Sequence, residues 1–184
     1  MRRDDSVPIY TIGHSTRTID QFVEMLRAAQ VTELVDVRSI PRSRTNPQYN
    51  LDVLPTTLAE YQINHTYIAE LGGRRPRQRS IDPQLNGFWQ NQSFHNYADY
   101  ALSSDFHTGF RRLLELSQRK TCAIMCSEAV WWRCHRRIVA DYLLDTGRPV
   151  FHLMAHDRIE PAKMTSSAMR QDDHLLYPGV DNEA

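Results

Sequence analysis

The segment Cys126-Ser-Glu128-Ala-Val-Trp131-Trp132-Arg-Cys134-His135-Arg136-Arg137 gathers many of the side chains able to do chemistry. It follows a continuous apolar run, TCAIMC over residues 121–126, which reads as a buried central strand. The pattern over residues 127–146 predicts a helix closed by Gly147, so Cys126 is expected where a strand ends and a helix begins. Free amides and the helix dipole at such a point stabilise a thiolate and can hold an anion. Glu128 then lies in the first turn, on one stripe with Trp131 or Trp132, His135 and Val139. Glu128 and His135 are too far apart to touch, but one substrate or water could bridge them. A plainer account keeps Cys126 and Cys134 as small core residues, Glu128 as a carboxylate complementing the dipole, and His135 as a hydrogen-bonded structural histidine.

Three further groups carry chemical potential. Asp36-Val-Arg38 with Arg42, Ser43 and Arg44 suits an ion pair or a clamp on phosphate or carboxylate, or else forms a solvated loop. Gly72-Gly73 followed by Arg74, Arg75, Arg77 and Arg79 can wrap an anion or a nucleic-acid backbone, or form a flexible basic loop. His14, directly after Gly13, suits an acid, a base, an anion contact or a cap. Arg136 and Arg137 read as surface charges, one of which could pair with Asp36. Phe88, Trp89, Trp131 and Trp132 can stack a base or fill the core. A zinc site from Cys126, Cys134, His135 and His14 matches no standard ligand spacing, so no metal is expected. The sequence has neither a GxxxxGK[ST] nor a GxGxxG loop, and no cofactor is expected.

The elements that must position these groups follow from periodicity. PIYTIG (8–13) reads as a buried strand. Thr18 and Gln21 form a capping box ahead of Phe22, Met25, Leu26 and Ala29, which predicts a helix to about residue 30. VTELVDVRS (31–39) reads as a second strand and completes a βαβ unit. A short helix (51–62) and a third strand (63–68) precede the long loop that ends near residue 92. Residues 93–120 read as two helices broken at Ser103-Ser104-Asp105, with Ser104 or Asp105 as N-cap. RPVFHLM (148–154) reads as the last strand. The order predicts a single α/β domain over residues 1–154 with a mainly parallel sheet of about five strands flanked by helices. Residues 155–184 lose periodicity and read as a partly ordered acidic tail. Ligands of such sheets sit beyond the carboxyl ends of the strands, where the candidate residues fall.

Composition narrows the function classes. The 22 basic residues balance the 22 acidic ones, so no global charge marks a nucleic-acid or membrane binder. All but Lys120 and Lys163 of the basic residues are arginine; a GC-rich coding genome accounts for the total, and the arginine fork for planar anions matters only where arginines cluster. No apolar run spans a membrane, and MRRDDSVP lacks the apolar segment of a secretory leader. Three cysteines are an odd number, which disfavours a disulfide framework and points to a reducing cytoplasm.

In sequence order, Thr11-Ile-Gly-His-Ser15, Asp36-Val-Arg38 with Pro41, Ser43 and Arg44, Leu71-Gly-Gly73, and Met125-Cys-Ser-Glu128 followed by Cys134-His-Arg136 resemble the bacterial and archaeal family known as domain of unknown function 488. The resemblance covers about residues 9–154. It implies a small cytoplasmic α/β protein whose distinctive polar residues include His14, Asp36, Arg38, Cys126, Glu128, Cys134, His135 and Arg136. It implies no particular reaction.

Three functions compete. The first is an enzyme, a hydrolase or transferase, acting on an anionic small molecule or a nucleotide or nucleic-acid-like substrate. Its catalytic candidates are Cys126, Glu128, His135, Asp36 and His14, and its substrate-binding candidates are Arg38, Ser43, Arg44, Arg74, Arg75, Arg136 and Trp131. Cys126 can act as nucleophile with His14 or His135 moving protons, or Glu128 and Asp36 can act as a carboxylate pair that cleaves an N-glycosidic bond. The second is a non-catalytic nucleic-acid-binding module built on the arginine loops, against which the zero net charge counts. The third is a redox or metal-linked role for Cys126 and Cys134, which the expected strand and helix hold beyond disulfide reach.

Overall fold

The computed structural model describes residues 7–180; the first residues of the leaderless N-terminal reading and the last four of the expected tail lie outside them. β1 (Ile9–Gly13) leads to the capping box read from the sequence, in which the Gln21 N–H donates to Thr18 Oγ1 at 3.2 Å and the Thr18 N–H to Gln21 Oε1 at 3.0 Å. The box opens α1 (Ile19–Ala28), and β2 (Glu33–Asp36) pairs with neighbours on both sides. α2 (Leu54–Ala59) and β3 (Asn64–Tyr67) follow. After the long loop come α3 (Gln92–Tyr100) and α4 (Ser104–Arg119), β4 (Cys122–Cys126), α5 (Arg136–Asp145) and β5 (Val150–Ala155). The break before α4 is capped by Ser103, whose Oγ accepts from the Phe106 N–H, one residue earlier than the expected caps.

The fold is α/β, and its sheet has six strands in the order β3-β2-β4-β1-β5-β6. Five are parallel. The sixth, β6 (Arg158–Pro161), pairs antiparallel to β5 and lies in the segment read as a tail. Its exposed, polar residues give no apolar run, which is why the sequence shows about five strands. The same segment carries a hairpin, β7 (Met169–Gln171) and β8 (His174–Leu176), and buries Leu175 and Tyr177. Tyr177 donates its hydroxyl to Asp141 Oδ2 at 2.9 Å and its N–H to Asn86 Oδ1 at 3.0 Å. Residues 155–180 are therefore built into the domain rather than appended as a partly ordered tail.

Side chains alternate along β4. Ala123 and Met125 pack with α1 and α2 on one face, and Cys122 and Ile124 pack with α3, α4 and α5 on the other. Among the described residues no helix is long and apolar enough to cross a membrane.

The largest departure concerns the helix after β4. It starts at Arg136, not at Ser127, and residues 127–135 are irregular apart from one 3-10 turn at Trp131–Arg133. Tertiary contacts override the helical pattern here. Trp131 stacks on His152, with ring centroids 4.6 Å apart, and donates Nε1–H to Glu160 Oε2. Arg136 is fully buried and donates Nη2–H to Ala129 O at 3.0 Å.

Candidate active site

The strand order places β1 and β4 side by side, while the helices that follow them, α1 and α5, pack on opposite faces. Adjacent strands with diverging exits leave a crevice at their carboxyl ends. A cavity of about 1120 Å³ opens there, walled by the segments that follow β1, β2, β3 and β4.

Cys126 closes β4 in register with Gly13 at the end of β1. The loop beyond it crosses directly over Gly13. A Cβ on residue 13 would stand 1.8 Å from the Glu128 carbonyl oxygen, so only glycine admits this crossing. The loop then returns and brings Cys134 close enough to Cys126 for each to act on the other's ionisation. The bend, irregular where a helix was expected, changes the path between the two cysteines. It also removes the helix start as the source of thiolate stabilisation, along with the stripe through Glu128, Trp131 and His135.

Another source replaces it. Burial pushes the Cys126 thiol up, but the hydrogen bond from Cys134, the charge of Arg136 and a backbone hydrogen bond at Glu128 outweigh it and bring it down to about 7. Cys134 moves the opposite way, held well above the ordinary thiol range by burial and by its neighbour Cys126. The two are thus driven in opposite directions, Cys126 toward the thiolate and Cys134 toward the thiol. Arg136 is not the expected surface charge, and it does not pair with Asp36. Its Nε and Nη1 have no hydrogen-bond partner, and among the described residues no carboxylate forms an ion pair with it.

Two neutral histidines flank the thiols. His135 Nε2–H donates to Val37 O at 2.9 Å, which leaves Nδ1 as acceptor 3.5 Å from Cys134 Sγ. Burial lowers its pKa to about 4, with the Arg136 charge acting in the same direction. Gly73 makes room for this ring, since a Cβ there would lie 2.3 Å from Nδ1. His14 Nδ1–H donates to Ser15 O at 2.8 Å, and its ring stacks on Tyr49 at 4.3 Å. Burial lowers its pKa, so the ring is neutral and Nε2 keeps its lone pair, 3.5 Å from Arg38 Nη1.

Asp36 and Arg38 form the ion pair that their spacing allows. Arg38 Nε and Nη2 donate to the two carboxylate oxygens at 2.9 and 2.7 Å, and His65 Nε2 lies 3.2 Å from Oδ2. Burial raises the Asp36 pKa, but these hydrogen bonds win and hold it below the usual range. Asp36 is wholly buried and does not line the cavity. It orients Arg38, which does.

The cavity wall carries Arg38, Arg42, Arg74, Arg75 and Arg133 against a single acid, Glu128. Arg75 is already engaged: it donates to Gly72 O and Ala69 O and lies 3.9 Å over the Tyr100 ring. Ser43 also lines the cavity and accepts from the Asn46 N–H. Of the sequence candidates, His14, Arg38, Ser43, Arg74, Arg75, Cys126, Glu128 and His135 meet at this wall. Arg44, Asp36, Arg136 and Trp131 do not: Arg44 is exposed, and Trp131 is stacked on His152. Trp89 and Phe88 belong to the core cluster.

Sequence reasoning left out Arg133 and the action of Cys134 on the Cys126 ionisation. Both were hidden by the misplaced helix start. The buried His152, hydrogen-bonded at Nδ1 to Thr11 Oγ1 at 2.6 Å, carried no local signal at all.

The family described as Domain of unknown function DUF488 matches residues 18–143. No curated protein and no solved structure matches the chain.

Proposed function

We propose that this chain, which belongs to the family Domain of unknown function DUF488, is an enzyme that uses the Cys126 thiolate as nucleophile on an anionic, nucleotide-like substrate. The observation that carries this reading is Arg136: a fully buried guanidinium with two unpartnered nitrogens, Nε and Nη1, whose charge lowers the Cys126 pKa. A buried cation is costly unless an anion answers it. A cysteine serving only as core filler would leave it unanswered.

The rest of the wall is consistent with that chemistry. Arg38, Arg42, Arg74 and Arg133 can meet phosphate or carboxylate charge. The volume of about 1120 Å³ holds a ligand of nucleotide size or larger. Cys126 Sγ attacks an electrophilic carbon or phosphorus, the bond to the displaced group breaks, and that group leaves as an anion that takes its proton from solvent. A water or second acceptor then gives its proton to His14 Nε2, attacks the covalent adduct and returns the thiolate. The first outcome is a hydrolase, the second a transferase. The reading requires no cofactor, and a free thiolate at the cavity wall favours a reducing cytoplasm.

Glycosidic cleavage by Glu128 and Asp36 is less well supported, because Arg38 and His65 occupy both Asp36 oxygens. Plain nucleic-acid binding would use the same arginines but gives Arg136 no anion.

The test is iodoacetamide alkylation of the native chain across pH, read site by site by peptide mass spectrometry. Cys126 should react with a midpoint near 7, and Arg136→Met should move that midpoint up toward the ordinary thiol range. A Cys126 that stays inert until the chain unfolds overturns the reading.

A further inference from the structure

Away from the cavity, α4 and the β7–β8 hairpin bring three metal-ligating side chains together. His107 Nε2 lies 3.0 Å from His174 Nδ1, across a sequence separation of 67 residues. Asp173 Oδ1 lies 3.2 Å from His174 Nε2. One ligand atom from each residue lies within 4.8 Å of the other two. Two nitrogens bound to a tetrahedral ion at about 2.0–2.1 Å stand roughly 3.3 Å apart, so the histidine pair needs to open by only a few tenths of an ångström.

The surroundings fix the ligands unequally. The His107 ring packs edge-on against Phe106 at 5.6 Å and Tyr142 at 6.2 Å, which limits its rotation. His174 sits at the start of β8, just after a turn in which Asp172 has a φ of 56°. Both rings are half-buried, while Asp173 is exposed and its carboxylate can swing onto an ion.

We propose that His107, Asp173 and His174 form a binding site for a divalent transition-metal ion of the zinc type, with a fourth position open to water. The ligand set selects this class. Two imidazoles and one carboxylate suit zinc, nickel or copper, whereas calcium and magnesium take mostly oxygen ligands. Arg111, one turn along α4, acts electrostatically on His107 and further disfavours cations held by charge alone. On binding, the proton between the facing nitrogens moves to the far nitrogen of its own ring, so both lone pairs reach the ion. The ion would pin the turn of a hairpin whose first strand is wholly exposed.

The experiment is equilibrium dialysis of the metal-stripped full chain against zinc chloride, with thermal unfolding in parallel. One zinc per chain is expected, with an affinity on the order of micromolar. His107→Gln and His174→Ala should each weaken it roughly tenfold or more, and zinc should raise Tm in the parent chain but not in these variants. Circular dichroism shows whether each variant is folded, and either folded variant suffices. Cobalt(II) substitution separates this site from the cysteine pair: a thiolate-to-cobalt charge-transfer band should be absent, and binding should persist in Cys126→Ser/Cys134→Ser. Binding unchanged in a folded histidine variant, binding lost with the cysteines, or no binding at about 1 mM zinc overturns the proposal.

Discussion

The Arg136 charge favours the ionised form of Cys126 at the carboxyl end of β4. Their coupling fixes how stability should follow pH. The folded-state pKa of Cys126, about 7, lies below its ordinary value of 9.0, so the stability it adds is present above 9 and lost as pH falls through 7. Cys134 is held above the same ordinary value, so the unfolded chain ionises first and stability falls as pH rises past 9. His135 and His152, lowered to about 4, add stability that is present above 6.5 and lost as pH falls through 4. Urea midpoints should therefore rise from pH 4 to 6.5, rise again between 7 and 9, and decline beyond. A flat profile between 7 and 9 would remove the thiolate. Several of the wall residues were legible as polar groups at or after strand ends, His14, Arg38 and Cys126 among them. The burial of Arg136 was not, because a lone arginine in a polar segment gives no sign of its depth.

At the scale of elements, the decisive unit is the nine-residue bend over residues 127–135, not a helix. It depends on Gly13, over which the Glu128 carbonyl passes. Gly13→Ala would force this crossing apart, at a cost of about 1–3 kcal/mol in unfolding free energy. The same change should also slow Cys126 alkylation or raise its midpoint, since the bend carries Cys134 to the thiolate. Denaturant titration and alkylation on one sample check both. A loss of stability with unaltered Cys126 reactivity would separate the crossing from the site. The strands, α1 with its capping box, and the α3–α4 break were readable because their cues are local. The start of α5 was not, since Trp131 on His152 and Arg136 beneath the bend are contacts across the fold.

At the scale of the whole molecule, the C-terminal residues complete what the central sheet begins. β6 covers the edge of β5, and Tyr177 reaches Asp141 in α5, the helix that follows the bend. A chain ending at residue 155 would lose the buried Leu175 and Tyr177 and leave Asp141 without its hydroxyl donor. It should be destabilised by about 3 kcal/mol or more, read as a lower urea midpoint or as insoluble product. An unchanged midpoint would make the segment dispensable. This part of the fold escaped the sequence because its few apolar residues are isolated between polar ones.

The lone cation beneath the thiolate has one more consequence, for the lifetime of the molecule. Capping Cys126 by alkylation removes the anion and strands Arg136 in the core, and breaking a buried charge pair costs about 3–5 kcal/mol. A capped chain should open more often and be cut sooner by a protease such as thermolysin, while a capped Arg136→Met chain should be cut no faster than its uncapped form. Alkylation of this one sulfur would then double as a mark for clearance, written in the stability of the fold.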